Sequence, residues 1–341
     1  MSRAVLVSDF IEHRWRKQLD LAAPGLRRLV LGPEGIITDQ RGKPATADEV
    51  DVAFFSGDLY PDRSRDFFIP LLGLAPRAPD SGETPLAGPR WMHTFSAGVD
   101  HPVFHRFLAA GWRLTTSSGA SASTIAETAM LFLLSLSRGV RAWEEARNRK
   151  AWEPHPVSDL LGSRLAVVGL GPIGRAIAER AMAFGMHVTA FTRTARDFEP
   201  FPVLPLGELD DALGDVDYLV LALPLTDATH HLFDAARLAR LKPGAFFVNI
   251  ARGELVDENA LVEALVSGRL AGAALDVFET EPLPPESPLW TMPNVLVTPH
   301  SSGRSASSDD RATGIFLDNL ARYSHGHVLR NEVDNRGEAT T

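Results

Sequence analysis

The segment Leu165 to Gly174, Leu-Ala-Val-Val-Gly-Leu-Gly-Pro-Ile-Gly, leaves this chain few folds to choose from. Its short Val-rich apolar run reads as a strand buried on both faces. Gly169, Gly171 and Gly174 follow in G-x-G-x-x-G spacing, ahead of a helical pattern. In that arrangement Gly169 permits a sharp turn, Gly171 leaves room for a pyrophosphate to touch backbone, and Gly174 lets helix pack close to strand. The free N–H groups and positive dipole end of the helix then face the phosphates. Glycine-rich turns also occur without a nucleotide, so the context decides. Ile173, Ile177, Ala178, Ala181 and Phe184 form a helical stripe, Gly185 stops it, and His187 to Phe191 reads as the next strand. A dinucleotide site is the expectation.

At 341 residues the chain has room for about two domains, and 45% hydrophobic residues allow substantial cores. With 43 acidic and 34 basic residues the net charge is -9, which argues against a general nucleic-acid or anionic-membrane surface. A local basic site for a cofactor phosphate remains compatible with that balance. There is no cysteine, which excludes disulfides, thiolate catalysis and thiolate metal sites. The apolar start, Ala4 to Val7, is a first strand rather than a secretory segment, and no apolar run approaches the ~20 residues needed to span a bilayer. A soluble cytoplasmic protein is expected.

From residue 1 to about 117 the pattern predicts a small α/β unit. Strands are expected at Ala4 to Val7, Leu29 to Leu31, Val52 to Phe55, Trp91 to Phe95 and Trp112 to Thr116, with an amphipathic helix over Phe10 to Leu21. Leu72 to Arg90, rich in Pro and Gly, reads as an exposed irregular insertion. Thr124 to Glu127 offers a capping box for one long helix to about Lys150, apolar nearly all round in its first half and therefore buried in the protein or in a partner copy. The βα rhythm then predicts strands at Leu165 to Val168, His187 to Phe191, Tyr218 to Leu223, Ala245 to Asn249, Gly272 to Val277 and Val295 to Thr298. Asp257 is placed to cap a helix over Asn259 to Ser267. These six strands fit a doubly wound parallel sheet. A last helix, about Ser305 to Tyr323, would be free to return to the first domain, and the tail from Arg330 reads as loose.

Ligands bind beyond the carboxyl ends of strands in open parallel sheets. Three successive strand ends deliver Ile250-Ala251-Arg252-Gly253, then Asp276 with Phe278-Glu279-Thr280-Glu281-Pro282, then Pro299-His300-Ser301-Ser302-Gly303. A cation, a carboxylate and an imidazole thus converge where a nicotinamide would lie. Singly, each has a bland reading as a capping group, a solvated charge or a loop hydrogen bond. Together they read as a reactive site.

These blocks also carry a resemblance. With Gly169 to Gly174, Leu223-Pro224-Leu225-Thr226, Val248 to Asp257, Ala274 to Pro282 and Thr298-Pro299-His300, the chain resembles the D-isomer-specific 2-hydroxyacid dehydrogenases over roughly residues 95 to 305. The resemblance implies a Rossmann sheet plus a smaller flavodoxin-like α/β substrate domain built from 1–117 and 299–341, with the dinucleotide domain, 118–298, inserted between them. It places the active site in the cleft between the two, whose closure would exclude water. It implies Arg252, Glu281 and His300 as the catalytic set, with His300 as proton donor and acceptor, Glu281 orienting it, and Arg252 polarising the carbonyl and holding the carboxylate of a small 2-oxo or 2-hydroxy acid. Backbone N–H groups at Ala97 and Gly98 resemble a second carboxylate clamp. Gly169, Gly171, Pro172, Ile173, Gly174, Leu223, Pro224, Ile250, Ala251, Asp276 and Gly303 are implied as cofactor contacts, and a homodimer is implied.

An NAD site usually carries an acid about 20 residues past the glycines. Here that position falls on Thr192, followed by Arg193, Thr194 and Arg196, with no acid before Asp197. Hydroxyls and guanidinium groups would bind a 2'-phosphate that a carboxylate would repel, so NADP(H) is expected over NAD(H). Ser56 to Tyr60 lacks the basic residue expected near a substrate phosphate, and no C-terminal regulatory domain follows. Glyoxylate, hydroxypyruvate or pyruvate is therefore expected over a phosphorylated acid. The rivals are a dinucleotide-sensing corepressor-like protein and a formate or phosphite dehydrogenase of the same fold. No metal site is expected, because no His pair stands at ligand spacing beside these strand ends and the adjacent His230 and His231 read as surface residues.

Overall fold

Alternate residues of the first strand feed opposite hydrophobic layers: Ala4 and Leu6 pack with Leu29, Leu31 and Phe55, while Val5 and Val7 pack with Phe54, Trp91 and Phe316. This is the side-chain period of two in a sheet covered on both faces. The computed structural model describes residues 4–74, 90–194 and 200–334. Its chain divides into two units, Met1–Ser121 with Ser305–Thr341, and Ala122–Arg304.

The first unit runs β1 (Ala4–Ser8), α1 (Asp9–Ala22), β2 (Arg27–Leu31), β3 (Ile37–Asp39), β4 (Val50–Phe55), α2 (Ser64–Leu72), β5 (Trp91–Thr94), α3 (Pro102–Ala109) and β6 (Arg113–Thr116). Its sheet order is β3-β2-β1-β4-β5-β6, parallel except for the antiparallel edge strand β3. Without that edge it is the 2-1-3-4-5 flavodoxin-like order. Ser8 ends β1 and caps α1 by accepting from the Ile11 N–H at 3.1 Å.

The second unit runs α4 (Ala122–Arg138), α5 (Val140–Asn148), β7 (Arg164–Val168), α6 (Pro172–Ala183), β8 (His187–Thr192), β9 (Val203–Pro205), α7 (Leu209–Ala212), β10 (Tyr218–Leu221), α8 (Ala235–Arg240), β11 (Ala245–Asn249), α9 (Glu258–Val266), β12 (Leu270–Leu275) and β13 (Val295–Val297). The sheet is parallel throughout, in the order β13-β12-β11-β10-β7-β8-β9. Counted from β7, this is the doubly wound 3-2-1-4-5-6 order extended by one strand. The last helix, α10 (Ala306–Ser324), begins with Ser305 as cap and packs Phe316, Leu320 and Tyr323 into the first unit's core. No helix among the described residues is long and apolar enough to cross a membrane.

Several expectations change. The single helix from Thr124 to Lys150 is two, starting at Ala122 and broken at Gly139, whose φ of +61° lies in the left-handed region that interrupts a helix. The apolar circumference of α4 is explained by burial of Ala126, Ala129, Met130, Phe132 and Leu133 within its own unit, although Leu131 stays exposed. Phe184, assigned to the buried stripe of α6, is exposed beyond the helix end. Edge strands β3 and β9, of three residues each, are additions, too short to show a period. The start of the tail is held rather than loose: Glu332 bridges to Thr115 and pairs with Arg113 at 2.7 Å. Pro76 to Pro89, the body of the expected insertion, and Arg196 lie outside the described residues.

Candidate active site

The glycine turn joins β7 to α6. Gly169 has φ +101°, and a Cβ there would lie 2.4 Å from the Ala222 carbonyl oxygen. A Cβ on Gly174 would lie 1.9 Å from the Gly169 oxygen, so helix and strand approach too closely for any side chain. Gly171 differs: it caps α6, and a Cβ there meets nothing within 4 Å. Its backbone is open to an approaching ligand, and Pro172, with no N–H to leave unpaired, starts the helix. The residues therefore fit a dinucleotide whose pyrophosphate rests on the start of α6. At the end of β8, Thr192 Oγ1 donates to the Thr194 carbonyl at 2.6 Å, and Arg193 and Thr194 are exposed. Leu223, Ile250 and Ala251 are buried, Pro224 is exposed, and Ile173 and Gly303 are half-buried.

Sheet register explains why the reactive groups meet. Asn249, Leu275 and Val297 are neighbours across β11, β12 and β13, so the chain leaves all three strands at one level. Glu281 Oε2 accepts from His300 Nδ1 at 2.8 Å, while Glu281 Oε1 accepts the Phe278 N–H at 3.1 Å. Burial pushes the Glu281 carboxyl up, but the His300 bond and charge, the Phe278 N–H and the Arg252 guanidinium outweigh it and hold it below the usual carboxylate range. The pair remains open to solvent, with side chains 49% and 36% exposed for His300 and Glu281. His300 adopts φ +47°, a conformation that costs a non-glycine residue about 1–3 kcal/mol unless its surroundings hold it. Arg252 Nη1 donates to the Ala251 carbonyl at 2.7 Å.

Two buried polar residues staple the loops that carry these groups. Asn249 accepts the Ala251 N–H at 3.0 Å and donates to the Arg252 carbonyl at 2.8 Å. Asp276, just past β12 and 0% exposed, accepts at Oδ1 from Thr298 Oγ1 at 2.6 Å, the Ser301 N–H at 2.9 Å and the Ser302 N–H at 3.2 Å. Its Oδ2 accepts from the Ser302 N–H at 3.1 Å and from the Ser302 hydroxyl. The Asp276 carbonyl takes the His300 N–H at 2.8 Å.

Three supports escaped the sequence reading. A Cβ on Gly253 would lie 1.9 Å from the Phe278 carbonyl carbon, so the chain after Arg252 packs directly against the loop that presents Glu281. Glu258 and Glu279 each accept the other's N–H, at 3.2 and 3.4 Å respectively, and Glu279 Oε1 lies 2.6 Å from His231 Nε2. Burial pushes the Glu258 carboxyl up, and the Glu279 charge adds to this against the pull of the Glu279 N–H. His231 is thus exposed, as expected, but engaged. A glycine directly after a candidate cation and a polar residue ending an apolar strand were the available signals for Gly253 and Asn249.

In the first unit, the turn after β5 is closed by Ser96 Oγ donating to the Gly98 carbonyl at 2.8 Å. Among the described residues, the Ala97 and Gly98 N–H groups meet no acceptor. Among the described residues, too, no cluster of three or more His, Asp or Glu is arranged to hold a metal ion.

A doubly wound sheet with a glycine turn at its first strand, and an imidazole paired to a carboxylate beyond its later strands, defines a dinucleotide-binding oxidoreductase. Residues 130–302 match the family model described as "D-isomer specific 2-hydroxyacid dehydrogenase, NAD binding domain". The chain is 35% identical over 273 residues to glyoxylate/hydroxypyruvate reductase B of Escherichia fergusonii, covering 77% of this chain and 84% of that protein. It is 34% identical over 247 residues to a glyoxylate reductase of Korarchaeum cryptofilum, covering 70% and 74%. The structure of a D-isomer specific 2-hydroxyacid dehydrogenase from Xanthobacter autotrophicus, in complex with NADPH and MES, matches with TM-score 0.74 and 30% identity over 98% of both chains. An NADPH-dependent glyoxylate/hydroxypyruvate reductase from Sinorhizobium meliloti, in complex with NADP and sulfate, matches with TM-score 0.73 and 28% identity over 99% of both. The chain belongs to the D-isomer specific 2-hydroxyacid dehydrogenase family.

Proposed function

We infer that this enzyme reduces a small 2-oxo acid, of the glyoxylate or hydroxypyruvate kind, to the D-2-hydroxy acid, with NADPH preferred over NADH. The observation that carries this reading is the His300–Glu281 pair at 2.8 Å. Because Nδ1 is bonded to the carboxylate, Nε2 is the atom at which His300 gives a proton to the substrate carbonyl oxygen, and takes it back in the oxidation direction. Glu281, held ionised, accepts from Nδ1 and fixes the plane of the ring. Arg252 polarises the carbonyl and pairs with the substrate carboxylate. Residues of the Gly169–Gly174 turn with Leu223, Pro224, Ile250, Ala251 and Gly303 would hold the dinucleotide, which when bound supplies or accepts the hydride.

Cofactor preference rests on Thr192, Arg193 and Thr194 standing where an acid would repel a 2'-phosphate. The bound NADPH and NADP of the two structural neighbours support it. A homodimer is inferred from the family resemblance. The test is nicotinamide absorbance against time, with NADPH and NADH in parallel and glyoxylate, hydroxypyruvate, pyruvate and a longer 2-oxo acid as substrates. Faster oxidation of NADPH is expected. A clear NADH preference would remove the role given to Thr192 to Thr194, and cofactor binding without turnover on any acid would leave a sensing protein.

A further inference from the structure

We propose that Thr229 is a positioning residue for dinucleotide binding: its hydroxyl fixes the Leu223–Pro224 segment beside the glycine turn, on the side of β7 away from Thr192. The proposal rests on the dinucleotide reading of that turn.

From β7 the chain moves outward to β8 and β9, then crosses back to β10 on the other side of β7. Ligands of doubly wound sheets enter the crevice at such a switch point, so the chain leaving β10 forms one of its walls. That wall starts in contact with the glycine turn. The Ala222 N–H donates to the Val168 carbonyl at 2.8 Å, and a Cβ on Gly169 would meet the Ala222 carbonyl and the Leu223 nitrogen. Leu223 is buried, whereas Pro224 is exposed. Proline has no N–H, so its carbonyl is the backbone group by which it can be held.

Thr229 Oγ1 holds it. A hydroxyl has one proton to give and two lone pairs to fill, and all three are used here within one short stretch of chain. Oγ1 accepts the Thr226 N–H at 2.8 Å and donates to the Pro224 carbonyl at 2.9 Å, while Thr226 Oγ1, at 3.0 Å, donates to the second lone pair. The competing Thr226 carbonyl is farther, at 3.3 Å, and already accepts the N–H groups of Thr229 and His230, so the proton goes to Pro224. A hydroxyl that only closed a turn would bond within Thr226 to Thr229. This one reaches back five residues, to the wall of the crevice.

Thr229→Val keeps the shape of the side chain but leaves the Thr226 N–H and the Pro224 carbonyl without their partner. Because β8, which ends at Thr192, lies across β7 from β10, the Leu223–Pro224 wall serves a part of the dinucleotide common to NADPH and NADH. The experiment measures dissociation constants of both cofactors by nicotinamide fluorescence, with kcat and KM for NADPH on glyoxylate, in wild type, Thr229→Val, Thr229→Ser and Thr226→Val. Thermal midpoints report folding. The expected result in Thr229→Val is an affinity about 3–10-fold weaker for both cofactors, the worth of one lost hydrogen bond. KM for NADPH should rise with it, and kcat at saturating NADPH should fall by a smaller factor. Thr229→Ser keeps the hydroxyl and should retain wild-type affinity, and Thr226→Val, which leaves the bond to Pro224, should lose less than Thr229→Val.

Wild-type affinity in Thr229→Val, with only a lowered midpoint, would make Thr229 a turn-closing residue and overturn the proposal. So would a loss confined to NADPH, which would place the effect at the 2'-phosphate, or a fall in kcat with affinity kept. If Thr229→Val does not fold, Thr229→Ala decides by the same criteria. Failure of the wild type to bind either cofactor would instead remove the dinucleotide reading itself, a result that depends on no variant.

Discussion

In the first unit the buried His93 of β5 bonds to Thr115 Oγ1 at 2.6 Å and Ser117 Oγ at 3.0 Å, and its ring packs among Phe54, Trp91 and Phe316. In the second unit the buried Asn249 and Asp276 turn instead toward the chain that leaves the sheet, bonding to the segments that carry Arg252 and His300. Both arrangements lie at the carboxyl ends of parallel strands. The first closes on itself: burial pushes the His93 imidazole down to about 3, so it stays neutral inside the core. The second ends in exposed reactive side chains. A buried polar group is therefore no signal of chemistry by its own burial. What distinguishes the two sheets is whether its partners belong to the core or to a loop with a titratable group in solvent.

Three changes would break or sharpen that contrast. The largest effect is expected from Gly253→Ala, because the added Cβ meets the Phe278–Glu279 backbone rather than a side chain that could move aside. Overpacking of this kind costs about 1–3 kcal/mol, and displacement of the Glu281 loop should lower kcat on the order of 10²-fold. Gly214→Ala, where nothing lies within 4 Å, is the control and should keep full activity. Equal activity in the two variants would show that the loop is not held from Gly253.

Next comes His93→Gln, which sharpens the other side of the comparison. With the folded imidazole pushed down to about 3 and an ordinary value of 6.5, the unfolded chain binds the proton first. His93 thus contributes stability that is intact above pH 6.5 and is lost as pH falls toward 3, about 2 kcal/mol by pH 5. Urea midpoints at pH 8 and pH 5 should show a smaller loss in His93→Gln than in wild type, with the kinetic pH profile unchanged. Parallel losses in both would contradict a neutral buried His93. The smallest effect is expected from His231→Ala. Its pair with Glu279 is well exposed, and such pairs contribute about 0.2–1 kcal/mol, visible as a slight fall in thermal midpoint.

Sequence made the second sheet legible because its strands are continuous apolar runs separated by helices with caps, as at Asp257, whose side chain accepts the Ala260 N–H at 3.0 Å. The glycine turn was legible too, since its spacing places Gly169 and Gly174 where the structure leaves no room for a Cβ and Gly171 where the backbone stays open. Edge strands of three residues carry no period, and the break at Gly139 lies inside a pattern that stays helical on both sides. At the strand ends, residue types identify Arg252, Glu281 and His300, whereas the hydrogen bonds of Asp276 depend on register between strands distant in sequence. The contact of Gly253 with Phe278 is likewise a tertiary fact, with 24 residues of intervening chain that local spacing cannot relate.

The central claim is that His300, aligned by Glu281, moves the proton that accompanies reduction of a 2-oxo acid. The most direct measurement is kcat for wild type and His300→Ala with NADPH and glyoxylate, alongside NADPH affinity by fluorescence. The account predicts a loss of about 10²–10⁴-fold in turnover with cofactor affinity retained. Near-normal turnover in His300→Ala would contradict it.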